Sequence, residues 1–259
     1  MKLNIFMKKA LKAAMPYGFL VLYRHHKKIN ETRRKDYGNK PKSFCPICRK
    51  KSYFKPFGII PRKMALCTNC GSLERHRLLW LFFKNKTNLF DRRQKNILHV
   101  AAEKCFEESF KKILAINYVT GDLNNPNAMV KMDITDIHYP DEHFDVIICN
   151  HVLEHVPDDT KAMKEFNRVL KKGGWAVLLV PIGMKEKTYE DFSINTDEGR
   201  LKAFGQHDHV RKYGMDYVDR LKSVGFNVAV IEQGEFVSER DIEKFRLTNN
   251  KIFYCTKEL

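Results

Sequence analysis

The sequence predicts an α/β fold with a mostly parallel sheet, preceded by a small cysteine-rich module. Two observations carry this prediction. From Asn96 onward, short apolar runs alternate with amphipathic segments, which is typical of βαβ units. Before that point, four cysteines fall into two close pairs. With 259 residues, 43% of them hydrophobic, the chain can bury the core of one medium-sized domain and a smaller appendage.

The apolar runs and the glycines that follow them define the expected elements. Strands are expected at residues 96–101, 117–122, 129–132, 144–149, 175–181, 226–232 and 251–256. Helices are expected at residues 72–83, 104–115, 158–171 and 211–224. The helix at 72–83 connects the cysteine module to the sheet. We therefore divide the chain into a basic arm (1–40), a zinc-binding module with its linking helix (41–90) and a sheet domain (91–259).

The paired cysteines predict a structural zinc site. Cys45 and Cys48 form one C-x2-C pair, Cys67 and Cys70 form a second, and eighteen residues separate the pairs. Two such turns aim four thiolates at one point and complete a closed tetrahedron, so we expect a zinc-ribbon-like module that binds Zn²⁺. Single, unpaired cysteines elsewhere are typical of a reducing compartment, which favours a cytoplasmic location.

Charge divides the chain into two parts. Residues 1–95 contain 25 Lys or Arg against four Asp or Glu, whereas the remainder contains 22 against 27. The first part is expected to face a polyanion or an anionic membrane surface. Residues 1–28 hold seven cations and no acid among bulky aliphatic residues, which predicts a peripheral membrane-facing arm. The uncharged run there is too short to cross a bilayer, so no transmembrane segment is expected.

The middle of the chain carries a family resemblance. Phe144-Asp145-Val-Ile-Ile-Cys-Asn150 is followed by His151-Val-Leu-Glu154-His155-Val-Pro157 and by a helix that ends in Lys-Lys-Gly173-Gly174. This run resembles the second half of class I S-adenosylmethionine (SAM) dependent methyltransferases of the type 11 group. The resemblance covers residues 98 to 257 approximately. It implies a Rossmann-like, seven-stranded methyltransferase sheet with SAM as the cofactor.

The resemblance also places the SAM site. Ile97-Leu-His-Val-Ala101 stands where the family has its first strand and SAM loop, so Ala101, Ala102 and Glu103 are cofactor-binding candidates. This loop contains no glycine, and a chain without catalysis is therefore an alternative. The expected ribose ligand is Asp122, a carboxylate at the end of the second strand. The remaining cofactor-binding candidates are Leu123, Asp133, Ile134 and Asn150, with Asp133 and the Ile134 backbone expected on the adenine.

Histidines close to the predicted cleft are the catalytic candidates. His151 and His155 follow the fourth strand, and His207 and His209 precede a later helix. Methyl transfer to a hydroxyl needs a base, and we expect His151 or His209 to supply it. Glu154 with His155 and a later histidine also resembles the divalent-ion site of small-RNA 2′-O-methyltransferases, although position 151 is His where that site has Glu.

Three kinds of acceptor or partner remain open from the sequence. A small molecule or a glycan is the first, because the catalytic half is acidic and the start of the chain resembles tails of glycan-assembly enzymes. Ribosomal or transfer RNA is the second and draws on the basic first part. The third is a non-enzymatic zinc and nucleic-acid binding protein on a degenerate methyltransferase fold.

Overall fold

The computed structural model describes residues 42–58, 61–113, 116–183 and 185–258. The predicted basic arm, residues 1–40, lies outside the described residues. From Ser43 onward the described chain belongs to one compact unit. The cysteine module and the sheet domain are therefore parts of the same unit. No helix among the described residues combines the length and the apolar character needed to cross a membrane.

The cysteine module is a three-stranded sheet in the order β1-β2-β3. The strands are β1 (Lys42–Cys45), β2 (Lys50–Phe57) and β3 (Arg62–Cys67), and β2 and β3 run antiparallel. Helix α1 (Glu74–Lys86) follows the last cysteine. Trp80 of this helix stacks on Phe106 and Phe110 of the sheet domain, with ring centroids 6.3 and 6.0 Å apart. Aromatic packing thus fixes α1 against the domain that follows it.

The second sheet has seven strands and confirms the predicted α/β, Rossmann-like fold. The strands are β4 (Lys95–Val100), β5 (Ile116–Asp122), β6 (Val130–Lys131), β7 (Phe144–Asn150), β8 (Leu170–Leu179), β11 (Asn227–Ile231) and β12 (Ile252–Thr256). Their order is β11-β12-β8-β7-β4-β5-β6. The pairs from β6 to β8 are parallel, whereas β12 is antiparallel to both β8 and β11. All seven predicted strands are present, with shifted ends.

The remaining elements agree less closely with the sequence prediction. The helices of this domain are α2 (Lys104–Phe110), α3 (Asp159–Val169), α4 (Asp197–Phe204), α5 (Tyr217–Ser223) and α6 (Glu239–Phe245). A short 3₁₀ helix (Leu153–His155) precedes α3, and a second (Gln233–Glu235) precedes α6. Helix α2 is shorter than the predicted 104–115. Helices α4 and α6 were not expected from the sequence.

The predicted helix at 211–224 is wrong in its first turn. Arg211–Lys212 form strand β10, which pairs antiparallel with β9 (Tyr189–Glu190), and helix α5 begins only at Tyr217. The Arg211 side chain is 1% exposed and donates hydrogen bonds to the carbonyl oxygens of Leu153, Val156 and Pro157. This tertiary contact holds the segment extended, and periodicity alone could not reveal it.

Arg77 of α1 joins the cysteine module to the far end of the chain. Its side chain is fully buried and lies 4.4 Å from the centre of the Phe54 ring. The guanidinium donates to the carbonyl oxygens of Ala65 and Ser72 at 2.9 Å each. It also donates to Phe245 and Arg246 at 2.7 and 2.9 Å. One side chain therefore satisfies four carbonyl groups that come from three separate segments.

We expect Arg77→Met to destabilise the protein strongly. The substitution preserves much of the side-chain volume but removes a donor from four carbonyl groups, of which only that of Ser72 is known to keep another, the N–H of Cys67 at 2.9 Å. Each buried group that is left unpaired costs about 1–3 kcal/mol. The free energy of unfolding in urea should fall by about 3 kcal/mol or more. Arg93→Met is the matched control, since the Arg93 side chain is 87% exposed and surface changes cost about 0.5 kcal/mol or less. Equal stability of the two variants would contradict this role for Arg77.

Candidate functional site

The strand order reverses between β4 and β7, and the candidate site lies at that point. In an open α/β sheet the ends of such neighbouring strands form a crevice in which ligands bind. A cavity of about 720 Å³ occurs here. Seven of the residues predicted from the sequence line it, namely Ala101, Asp122, Leu123, Asp133, Ile134, His151 and His155.

The glycine-free loop after β4 adopts a backbone conformation that usually favours glycine. Ala101 has φ +47°, and its N–H donates to the Gly121 carbonyl at 2.8 Å. Left-handed backbone at a residue other than glycine is uncommon and costs about 1–3 kcal/mol. The loop thus turns sharply at the end of β4 without a glycine. Its alanine is small enough to leave the cavity open beside it.

Glu103 holds the same loop in place through hydrogen bonds to residues of β4 and β7. Its carboxylate accepts hydrogen bonds from His99 Nε2 at 2.7 Å and from Asn150 Nδ2 at 3.1 Å, and His76 Nε2 lies 3.5 Å away. Burial opposes ionisation, but the His99 hydrogen bond and nearby charge lower the pKa of Glu103 to about 2. Ala102, Glu103 and Asn150 do not line the cavity. Glu103 and Asn150 instead connect the ends of β4 and β7.

The two predicted aspartates each keep one oxygen without a partner among the residues that the structure describes. Asp122 Oδ1 accepts the N–H groups of Asn124 and Asn125, both at 2.8 Å. Asp133 Oδ1 accepts the N–H and hydroxyl of Thr135 at 2.8 and 2.9 Å. Within the described part of the chain, no hydrogen bond reaches Oδ2 of either residue. These turns fix both carboxylates at the cavity and leave an oxygen of each available to a ligand.

His151 is held beside a buried carboxylate. It has φ +55°, so it too occupies the left-handed region directly after β7. Its Nδ1 lies 3.3 Å from Oε1 of Glu154, whose side chain is 1% exposed. The other oxygen, Glu154 Oε2, is buried without a hydrogen-bond partner among the described residues. The nearby carboxylate favours the tautomer in which Nδ1 carries the proton and Nε2 is left as an acceptor.

Two of the other predicted histidines, His155 and His209, lie close to Glu154, whereas His207 does not belong to this group. His155 lies 3.2 Å from Oδ2 of Asp208 through Nδ1, and its ring is 4.7 Å from that of His209. Burial and the neighbouring His155 lower the pKa of His209. His207 is 64% exposed and does not line the cavity. Potential ligand atoms of Glu154, His155 and His209 all lie within 4.8 Å of one another, so these three could hold a metal ion.

The four paired cysteines converge as a tetrahedral site requires. Their sulfurs lie within 4.8 Å of one another, with 3.6 Å between Cys45 and Cys70 and 3.9 Å between Cys48 and Cys67. Zn–S bonds of about 2.3 Å in a tetrahedron place sulfurs about 3.8 Å apart. Ser52 and Ser72 hydroxyls lie 3.1 to 3.3 Å from these sulfurs and can orient them. The donor set therefore fits a zinc ion.

Sequence reasoning missed the first turn of α1. Arg75 belongs to this turn and His76 contacts the Glu103 network, although both follow the cysteine module in the chain. The available signal was the polar run from Glu74 to Arg77 at the start of an otherwise apolar helix. Asp208 was also missed, and it lines the cavity beside His155.

The sheet order and the position of the cavity define the class I methyltransferase fold. Residues 95–178 match a family described as a methyltransferase domain (Methyltransf_11). Over residues 95–178 the predicted likeness to class I SAM-dependent methyltransferases is thereby confirmed.

Two curated proteins illustrate the likeness within this segment. Demethylmenaquinone methyltransferase of Alkalihalophilus pseudofirmus is 36% identical over 85 residues, which cover 33% of this chain and 30% of that protein. Ubiquinone biosynthesis O-methyltransferase of Paraburkholderia phymatum is 35% identical over 69 residues, covering 26% and 29%. The match thus spans less than a third of each of these relatives.

Solved structures support the fold independently. The [4+2]-cyclase SpnF superposes with a TM-score of 0.51 at 12% identity, over 80% of this chain and 87% of SpnF. A likeness at this level of identity concerns the fold alone. Because SpnF is named as a cyclase, the shared fold does not identify a reaction.

Proposed function

We propose that the protein transfers a methyl group from SAM to a hydroxyl group of a small-molecule acceptor. One observation carries this proposal. His151 lines the cavity together with the predicted SAM residues, and its ring is paired with the buried carboxylate of Glu154 at 3.3 Å. A histidine held in this way is suited to remove a proton.

The cavity residues fit the polar groups of the cofactor. Asp122 would accept the ribose hydroxyls through its free oxygen, while Asp133 and the Ile134 backbone would hold the adenine edge. Leu123, 49% exposed, offers apolar surface to the same ligand. When bound, SAM supplies an electrophilic methyl group on a sulfonium. The chain itself provides the position of the acceptor and a destination for its proton.

His151 is the proposed base. Its Nε2 would take the acceptor's hydroxyl proton while the hydroxyl oxygen accepts the methyl group and the S–CH₃ bond of SAM breaks, and the Glu154 carboxylate would stabilise the resulting imidazolium. Glu154 thus acts as a positioning residue. His155, which lines the cavity and is paired with Asp208, and His209, whose ring lies 4.7 Å from that of His155, are alternatives to His151. A divalent metal bound by Glu154, His155 and His209 is a second candidate, which their ligand spacing of 4.8 Å or less supports.

The names of the relatives support a small-molecule acceptor. Those relatives are named for demethylmenaquinone and for ubiquinone biosynthesis, and the second is an O-methyltransferase. A glycan acceptor and an RNA acceptor bound by the basic first part remain alternatives that depend largely on residues outside the described range. A protein that binds without catalysis is the remaining alternative.

We also propose that Cys45, Cys48, Cys67 and Cys70 bind one structural Zn²⁺. The metal has no open position in a four-thiolate site, so its contribution is to folding. Through Ser72 and the adjoining α1, it also positions the residues that connect the module to the sheet.

Asp122→Ala should weaken the binding of S-adenosylhomocysteine by about tenfold or more, since a hydrogen bond to a charged group contributes about 1.5–3 kcal/mol. Isothermal titration calorimetry provides the measurement. Asp136→Ala is the control, because Asp136 is exposed and does not line the cavity. An unchanged affinity for the Asp122 variant would show that the ribose is held elsewhere.

His151→Ala should retain affinity for S-adenosylhomocysteine while losing turnover by about 10²- to 10⁴-fold, as expected for a general base. Transfer of labelled methyl groups from SAM to a small-molecule cell fraction measures turnover. His209→Ala is the matched variant, and a larger loss there would move the base to His209. Loss of activity after EDTA dialysis, restored by a divalent ion, would favour the metal alternative instead.

Cys48→Ser should lose zinc, and elemental analysis of the wild-type protein should find one zinc per chain. Thiolates bind Zn²⁺ far better than hydroxyls do, so three remaining cysteines should hold it weakly. Cys149→Ser is the control, because Cys149 is fully buried in β7 and lies outside the cluster. Full zinc content in the Cys48 variant would refute the four-cysteine site.

A further inference from the structure

A second cavity adjoins the proposed methyl-transfer site. It measures about 610 Å³ and shares His151 with the first cavity. Its walls come from three parts of the chain. The cysteine module contributes Arg62, and helix α1 contributes Glu74 and Arg75. The end of β8 and the residues after it contribute Leu179 to Ile182, and the segment before β12 contributes residues 248–251. The candidate base therefore lies where the predicted cofactor cavity and this second cavity meet.

The cations of the second cavity differ in their partners. Arg62 donates to both carboxylate oxygens of Glu74 at 3.0 and 3.2 Å, and Lys251 pairs with Glu232 at 3.2 Å. Arg75, in contrast, makes no hydrogen bond or ion pair with any residue that the structure describes. Its Nε atom is buried and has no hydrogen-bond partner among the described residues. The terminal N–H groups of Arg75 are therefore the donors available to a ligand.

The surroundings of Arg75 do not neutralise it. The acidic groups that act on it are Glu103 and Glu74. Glu103 is already hydrogen-bonded to His99 and Asn150, and Glu74 is bound by Arg62. Arg75 is half-buried, and a partly desolvated guanidinium is costly to leave unpaired. Burial lowers the pKa of Arg75 without discharging a group that is effectively always protonated. An anionic ligand would remove this cost.

The position of Arg75 adds to the attraction of an anion. It lies in the first turn of α1, a helix of 13 residues, where the helix dipole favours negative charge. The planar guanidinium matches a carboxylate or a phosphate through two parallel hydrogen bonds. Ser72, whose hydroxyl lies 3.2 Å from the Cys70 sulfur, connects this turn to the cysteine cluster.

We propose that the second cavity binds the acceptor and that Arg75 binds an anionic group, a carboxylate or a phosphate, on that acceptor. The acceptor's hydroxyl then faces His151. Helix α1 thereby supplies a specificity residue, and the cysteine module lines the same site through Arg62. This inference rests on the proposed methyl transfer, because it assigns the acceptor class of the same reaction.

The test measures anion binding directly on the full-length, zinc-loaded protein with S-adenosylhomocysteine present. Inorganic phosphate is titrated by ³¹P NMR and glucuronate by saturation-transfer NMR, both at constant ionic strength. Wild-type protein should bind at least one of the two probes about tenfold more tightly than Arg75→Gln does. Phosphate binding alone indicates a phosphorylated acceptor, and glucuronate binding alone indicates an acid. Arg93→Gln, which changes an exposed arginine, should bind as the wild type does.

Equal affinity of the wild-type protein and Arg75→Gln for both probes, or no binding of either, would overturn the proposal. Folding of the variant is checked by its zinc content and by its affinity for S-adenosylhomocysteine, which should remain within twofold of the wild type. Calorimetry of S-adenosylhomocysteine binding distinguishes a failure of the proposed methyl transfer from a failure of the proposed anion site. Failure of the wild-type protein to bind S-adenosylhomocysteine refutes the proposed function, whereas normal cofactor binding without anion selectivity refutes only the role of Arg75.

Discussion

The arrangement of the molecule depends on the buried guanidinium of Arg77. Its four hydrogen bonds join β3, the start of α1 and the end of α6. Because each bond satisfies a carbonyl group that has lost contact with water, the three segments hold one another in place. Arg75 is two residues away on the same helix, so the position of the second cavity depends on this contact. These contacts connect the cysteine module to the sheet domain, and Ser72 connects the cysteine cluster to the start of α1.

Two non-glycine residues in left-handed backbone define the edges of the site. Ala101 directly follows β4 at φ +47°, and His151 directly follows β7 at φ +55°. Since strands β4 and β7 are hydrogen-bonded neighbours, the two turns open the same crevice. Ala101 adopts the left-handed conformation for which a glycine was expected. At His151 the same conformation directs a functional side chain out of the sheet. Strain of this kind persists only where the surroundings fix it, and here Glu103 and Asn150 bridge the two strand ends.

The sequence was informative where local pattern and structure coincide. Buried parallel strands read as continuous apolar runs, so all seven strands of the large sheet could be predicted, and residues that follow those strands necessarily meet at one edge. That logic brought Asp122, Asp133 and His151 together. Arg75 and Arg211 could not be placed in this way, because their surroundings come from segments distant in the chain. Arg211 holds its segment extended through bonds to residues 153–157, against its helical pattern. The roles of the candidate site residues remain predictions.

The Arg77 contacts also constrain the order in which the protein folds during its synthesis. Arg77 and Phe245 are 168 positions apart, so their hydrogen bond closes a very long loop. Contacts of such sequence separation form late, after local helices and neighbouring strands. On the ribosome, the cysteine module and the first parallel strands emerge long before residues 245–251 exist. The wall that these residues give to the second cavity is therefore absent from the nascent chain. Acceptor recognition would then arise only after residues 248–251 have been synthesised, even if the nascent sheet already binds the cofactor.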